Sequence, residues 1–147
     1  DSFPRGPRAL FVPFEQGPVA AEMPNRRFPL ILNTGRLLYH WHGGTITRRV
    51  TNLMARSPEL QIAISPQDGQ KYGIEDGQMI RVSSRRGQLT GRALLTDRES
   101  PGGIFIPFVK LSESAANFLT NAAYDPTSKI PEYKVCAVRV EAVGLDC

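Results

Sequence analysis

Between Asn33 and Arg49 the chain gathers side chains suited to binding phosphate. Arg36, Arg48 and Arg49 can each fork onto phosphate oxygens, and the hydroxyls of Thr34, Thr45 and Thr47 can donate to them. Gly35, Gly43 and Gly44 allow a ligand to approach the backbone closely. A helix beginning near Thr45 aims its free N–H groups at an anion. The same residues also suit a plain helix start with solvated arginines on its outer face.

Inside this cluster lies His40-Trp41-His42. Alternation along a strand puts both imidazoles on one face. These are the chain's 2 histidines, and no acidic pair lies near them in sequence. A zinc site usually takes three or four protein ligands, so the spacing favours histidines that donate to a phosphate or heterocycle. Trp41 reads as core or as a stacking platform. A second candidate wall comes later, from residues 117–121 (NFLTN) with Lys129, Tyr133 and Lys134. Ordinary cap and surface roles suit these residues equally well.

Nothing in the chain reads as catalytic. No Ser–His–Asp arrangement is legible, and neither Cys136 nor Cys147 has an activating neighbour. Asp97 and Glu99, on either side of Arg98, read as solvated loop charges.

The elements that must position these groups are short. Pro4, Pro7, Pro13, Pro18 and Pro24 make residues 1–27 an irregular lead-in, which needs an outside surface to order it. The domain proper is expected over 28–147. Strands are expected at 28–32, 60–64, 79–83, 89–96, 104–108 and 135–140, with a turn-rich break at 33–36. The last strand carries Cys136, Val138 and Val140 on one face. Arg85-Arg86-Gly87 turns the third strand into the fourth as a hairpin. Ser65-Pro66 opens a short helix that ends at Gly73. Further helices are expected at 45–54 and 112–120, and residues 125–132 read as a loop held extended by Pro126 and Pro131. Many short strands with a few short helices are most simply closed into a barrel, which leaves no exposed edges.

Composition narrows the class further. The 12 prolines and 13 glycines argue against a helical bundle. Lys+Arg 18 against Asp+Glu 14, net +4, is a mild excess that suits an anionic partner without choosing one. Two cysteines eleven positions apart form no disulfide framework and favour a reducing compartment. No apolar run approaches the roughly 18 residues that span a bilayer. The first residue is Asp1, so the chain reads as excised from a longer polypeptide.

Residues 32–36 (LNTGR) and 40–49 (HWHGGTITRR) resemble the opening of the molybdopterin-dinucleotide-binding domain of molybdenum and tungsten oxidoreductases. GIEDGQ, VSSRRGQ and GIFIPF, within 64–108, are similar to the middle of that domain. ANFLT at 116–120, Asp125-Pro126 and KIPEYKVCAVRV at 129–140 resemble formate dehydrogenase catalytic subunits in particular. The likeness runs over about residues 25–141. It implies a mainly β fold with short helices, the double-psi β-barrel of the aspartate-decarboxylase-like type. It also implies a molybdopterin guanine dinucleotide cofactor, with Mo or W held by the rest of a parent enzyme that oxidises formate to carbon dioxide.

Carried over by position, the cofactor-binding residues are Asn33, Thr34, Gly35, Arg36, His40, Trp41, His42, Thr45, Thr47, Asn117, Tyr133 and Lys134. The implied partners are the iron–sulfur and metal-ligand domains of the parent subunit and its electron-transfer subunits. The metal-ligating residue and cluster cysteines have no counterpart here, so the chain is expected to be inactive alone. It departs from the family pattern at Gly43, where Thr is expected, and at Ile46, often Met. Two rival readings remain. One is a cofactor-free barrel that binds nucleic acid or protein, although Phe28, Phe105 and Phe108 read as core and not as a base-stacking row. The other is a self-processing decarboxylase, for which no persuasive Gly-Ser cleavage pair is present.

Overall fold

The computed structural model describes residues 11–13, 15, 20–111 and 115–144. Six strands close into a barrel: β1 (Leu30–Gly35), β2 (Gln61–Ile64), β3 (Met79–Ser83), β4 (Gln88–Leu95), β5 (Gly103–Pro107) and β6 (Val135–Ala142). Their order around the barrel is β1-β5-β2-β4-β3-β6. The pairs β1–β5 and β2–β4 are parallel, and every other pair is antiparallel. The alternating burial of β4 shows the physical logic, with Leu89, Gly91 and Ala93 inward and Thr90, Arg92 and Leu94 outward. Leu30, Leu32, Ile62, Ile64, Ile80, Ile104 and Ile106 fill the interior and are fully buried. β6 presents Cys136, Val138 and Val140 to the core as expected, and Ala137 is buried as well.

The helix α2 (Pro66–Tyr72) has the expected caps. Ser65 Oγ accepts from the Asp68 N–H at 3.1 Å, Pro66 stands at the first position, and Gly73 closes the helix at φ 64. The β3–β4 hairpin turns over Arg85–Gly87, with Ser84 N–H donating to Gly87 O.

Several expectations are corrected. Strand β1 does not break at Asn33. Asn33, Thr34 and Gly35 continue the ladder opposite Phe105, Ile106 and Pro107, and Gly35 is needed there because a Cβ would lie 2.6 Å from the Phe105 ring. The helix expected over 45–54 is divided into a 3₁₀ turn at Thr47–Arg49 and a short α1 at Thr51–Arg56. Val50, extended at φ −97 and ψ 110, separates them, and the dense β-branched run at 45–51 explains the poor helix. Residues 115–120 form only a 3₁₀ turn at Ala116–Phe118, and the rest of that expected helix, 112–114, lies outside the described residues. The 125–132 loop is folded, not extended. Lys129 N–H donates to Asp125 O, Asp125 N–H donates to Ile130 O, and Lys129 takes φ 59. Glu99 is half-buried, and that burial raises its carboxyl above the ordinary value.

The described end of the lead-in is tied to the barrel by Glu22. Its carboxylate accepts two bonds from the Arg86 guanidinium at 2.7 and 2.9 Å and one from the Ala137 N–H at 2.8 Å. Arg85 adds an ion pair at 3.1 Å. The Arg86 hydrogen bond is the main cause that holds the Glu22 carboxyl below its ordinary value. A depressed carboxyl stabilises the fold above the unfolded-state value, and that stability is lost as pH falls through the folded value. Glu22→Gln is therefore expected to cost about 1–3 kcal/mol at neutral pH. The gap in melting temperature between the two proteins should close as pH drops through and below the glutamate range. A gap that stays constant with pH would remove this account of Glu22.

Candidate functional site

The site assembles at one end of the barrel because of strand direction. β1 and β5 run parallel with Gly35 opposite Pro107, so Arg36 and Phe108 emerge side by side. Phe108 N–H donates to Gly35 O at 3.0 Å and fixes that exit. β6 is antiparallel to β1 and enters at the same end, with Val135 opposite Asn33, which brings Tyr133 and Lys134 there too. Thr34, buried, ties the two strands together. Its hydroxyl donates to Tyr133 O at 3.0 Å and its N–H donates to Lys134 O at 3.2 Å.

Three hollows with shared lining residues open at this end, beside a fourth that carries Asp125 and Glu132 and shares Tyr124 and Pro131 with one of them. The first, about 560 Å³, has His42, Gly43, Phe108, Asn117 and Tyr133 among its lining. A small one of about 250 Å³ lies between Gly35, Arg36, Phe108, Tyr133 and Lys134. A third, about 460 Å³, runs from Arg36 along Tyr39, Trp41 and His42 to Leu53. Shared walls join them, with Phe108 and Tyr133 between the first two, Arg36 between the last two, and His42 between the first and third. The charged and titratable side chains lining all three are Arg36, Lys134, His40, His42 and Tyr residues, with no Asp or Glu among the described residues. Arg36 has no hydrogen-bond or ion-pair partner among the described residues. A basic trough with aromatic walls, amide groups and an uncommitted guanidinium suits a long anion that carries heterocycles.

The 36–50 loop is shaped from within. His40 is buried; its Nε2 lies 3.2 Å from Ser57 O and its Nδ1 lies 3.2 Å from Thr47 Oγ1. A carbonyl only accepts, so Nε2 carries the proton. Thr47 Oγ1 accepts the Trp41 N–H at 3.1 Å, and in that tautomer its O–H donates to Nδ1. His40 and Thr47 are therefore committed to internal bonds. The two histidines do not share a strand face: no strand forms here, and His42 turns outward at φ 49. Trp41 is not core but 71% exposed, with its ring edge-on to His42 at 4.7 Å.

Glycine roles also differ from expectation. Gly44 is buried at φ 79, and a Cβ there would lie 2.6 Å from Val109 Cγ2. Gly35 makes room for Phe105. Of Gly35, Gly43 and Gly44, Gly43 alone has open space where a Cβ would stand, and it faces the first hollow.

The structure thus brings Gly35, Arg36, His40, Trp41, His42, Thr47, Asn117, Tyr133 and Lys134 to one trough. Thr34 lies just beneath it. Asn33 and Thr45 are exposed and outside its lining. Arg48 Nε donates to Gly44 O, and Lys129 Nζ is turned onto Pro126 O in its own turn, so neither forms a wall. Phe108 and Tyr124 were not expected as site residues. The parallel β1–β5 pairing could have identified Phe108, but a sequence does not display pairing.

Residues 30–137 match the family described as the molydopterin dinucleotide binding domain. The F420-dependent formate dehydrogenase subunit alpha of Methanocaldococcus jannaschii is 43% identical over 136 residues, covering 92% of this chain and 20% of that protein. The F420-dependent formate dehydrogenase 1 subunit alpha of Methanococcus maripaludis is 44% identical over 122 residues, 83% of this chain and 18% of that protein. A nitrate reductase of Symbiobacterium thermophilum is 44% identical over 124 residues, 82% of this chain and 16% of that protein. The chain thus spans about a fifth of the length of these curated relatives. Among solved structures, acetylene hydratase from Pelobacter acetylenicus superposes with a TM-score of 0.66 at 18% identity, covering 79% of this chain and 18% of that one. The closed six-strand barrel is a double-psi β-barrel.

Proposed function

This chain belongs to the molydopterin dinucleotide binding domain family, and from that premise we propose that its basic trough holds a molybdopterin guanine dinucleotide for a larger formate-oxidising enzyme. The observation that carries this reading is the trough itself, with an unpaired Arg36 beside Lys134, aromatic walls at Phe108 and Tyr133, and no carboxylate in its lining among the described residues. When bound, the cofactor supplies two-electron chemistry at its Mo or W, and the protein supplies orientation and electrostatics. Arg36 and Lys134 meet phosphate oxygens, the first as a fork and the second as a point charge. Asn117 offers both a donor and an acceptor to a heterocycle edge. Trp41, His42 and the open backbone at Gly43 form the rim. His40, Thr47, Thr34 and Gly35 keep the loop and strand ends in place. Asn33 and Thr45 are the members of the set that the geometry supports least.

Formate as substrate rests on the methanogen relatives and on the 129–140 segment. The nitrate reductase is just as similar, so substrate choice belongs to parts of the protein outside this chain. The same proposal includes partners, namely the iron–sulfur and metal-ligand domains of a parent subunit and its electron-transfer subunits. It also places the domain boundary at residue 28, with Glu22 reaching across it.

Titration calorimetry of the chain with GDP, ADP and a short oligonucleotide tests the reading. GDP should bind saturably and ADP should not, and Arg36→Ala or Asn117→Ala should weaken GDP by about tenfold. Oligonucleotide binding that is tight and salt-sensitive, with no response to GDP, would favour a nucleic-acid module instead.

A further inference from the structure

We propose that Arg86, at the tip of the β3–β4 hairpin, is a positioning residue for the trough. It holds the 116–121 segment, and Asn117 with it, at the barrel mouth, and Glu22 anchors it. This rests on the reading that Asn117 contacts the dinucleotide. Arg86 lines none of the three hollows, and its three guanidinium nitrogens divide between two tasks. Nη1 and Nη2 grip the Glu22 carboxylate at 2.7 and 2.9 Å, which leaves Nε to donate to Leu119 O at 2.9 Å.

The segment being held has little structure of its own. It is one 3₁₀ turn, Ala116–Phe118, and no side chain caps its start at Ala115. Its fixed points are Ala116 and Leu119, both buried, the Leu119 carbonyl, which also accepts from Cys136 Sγ at 3.3 Å, and Asn121, whose Nδ2 donates to Glu132 Oε2 at 3.2 Å and to Val135 O at 3.3 Å. The hairpin tip presses on it as well, since a Cβ on Gly87 would stand 2.8 Å from Phe118 O. Asn117 and Thr120 face the first hollow from this clamped turn. A single ammonium does not reproduce this fork, because its three donors share one nitrogen, whereas Arg86 reaches Glu22 and Leu119 O from separate nitrogens.

The test uses the cofactor-loaded enzyme that carries this chain, with Arg86→Gln, Arg86→Lys, Asn117→Ala and the Arg86→Gln/Asn117→Ala double variant. Three readouts are taken: amide hydrogen exchange over 116–121, guanine nucleotide released per polypeptide by acid hydrolysis, and melting temperature. Arg86→Gln should speed exchange across the segment about tenfold and lower guanine content as far as Asn117→Ala does. The double variant should lose no more than either single, because both act through one contact. Arg86→Lys keeps the Glu22 pair, so it should melt close to wild type yet still exchange faster at 116–121. Unchanged exchange in Arg86→Gln, or additive losses in the double variant, overturns the positioning role. Wild-type guanine content in Asn117→Ala overturns the dinucleotide reading of Asn117 and this inference with it.

Discussion

Leu119→Ala is expected to destabilise the protein by about 2–5 kcal/mol, the range for truncating a fully buried leucine. Leu119 is 0% exposed and belongs to the same core cluster as Leu32, Ile62 and Val138, although it comes from an irregular segment and not from a strand. The strands around it are locked by barrel pairing on both edges and can relax little into the space left behind. The cavity term therefore adds to the lost transfer energy. The carbonyl that Arg86 grips survives the substitution, so the segment is loosened from beneath while still held from outside. Urea unfolding followed by circular dichroism measures the loss. A change below about 1 kcal/mol would mean that Leu119 does not seal the barrel mouth.

Gly44→Ala is expected to cost about 2–4 kcal/mol, from left-handed backbone strain combined with forced repacking. At φ 79 an alanine is strained wherever it has room, and here its Cβ would meet Val109 Cγ2 at 2.6 Å and Arg48 Cγ at 3.0 Å. Val109 is buried and can yield little. Neighbouring Gly43 supplies the control, since a Cβ there meets nothing within 4 Å. Gly43→Ala should stay within about 0.5 kcal/mol of wild type. Thermal unfolding of both variants separates the two roles. Equal costs at 43 and 44 would show that the loop is not held by the φ and contact of Gly44.

The sequence displayed the barrel far better than the trough. Strands β3 and β4 and their hairpin follow from alternation and turn residues that lie within one short window, and α2 is bounded by Ser65, Pro66 and Gly73. Strand β1 was cut short because Asn33, Thr34 and Gly35 carry turn propensity, which the ladders to β5 and β6 override. The 45–54 helix failed for the opposite reason: its apolar spacing was helical, but its β-branched residues do not sustain a helix. Residue types in the 33–49 cluster pointed to an anion site, and the fold brings part of that cluster to one trough. They did not show that His40 and Thr47 face inward while Trp41 faces outward, since that depends on Ser57, ten residues beyond Thr47. Phe108, Arg86 and Glu22 were invisible for the same reason, because each acquires its role through contacts with distant parts of the chain.

An experimental structure of the cofactor-loaded enzyme that carries this chain tests whether the trough at the β1–β5 exit holds the dinucleotide. Phosphate oxygens are expected within hydrogen-bonding distance of Arg36, and a heterocycle between Phe108, Asn117 and Tyr133. A cofactor seated elsewhere on the barrel, with Arg36 and Asn117 left facing solvent, would contradict it.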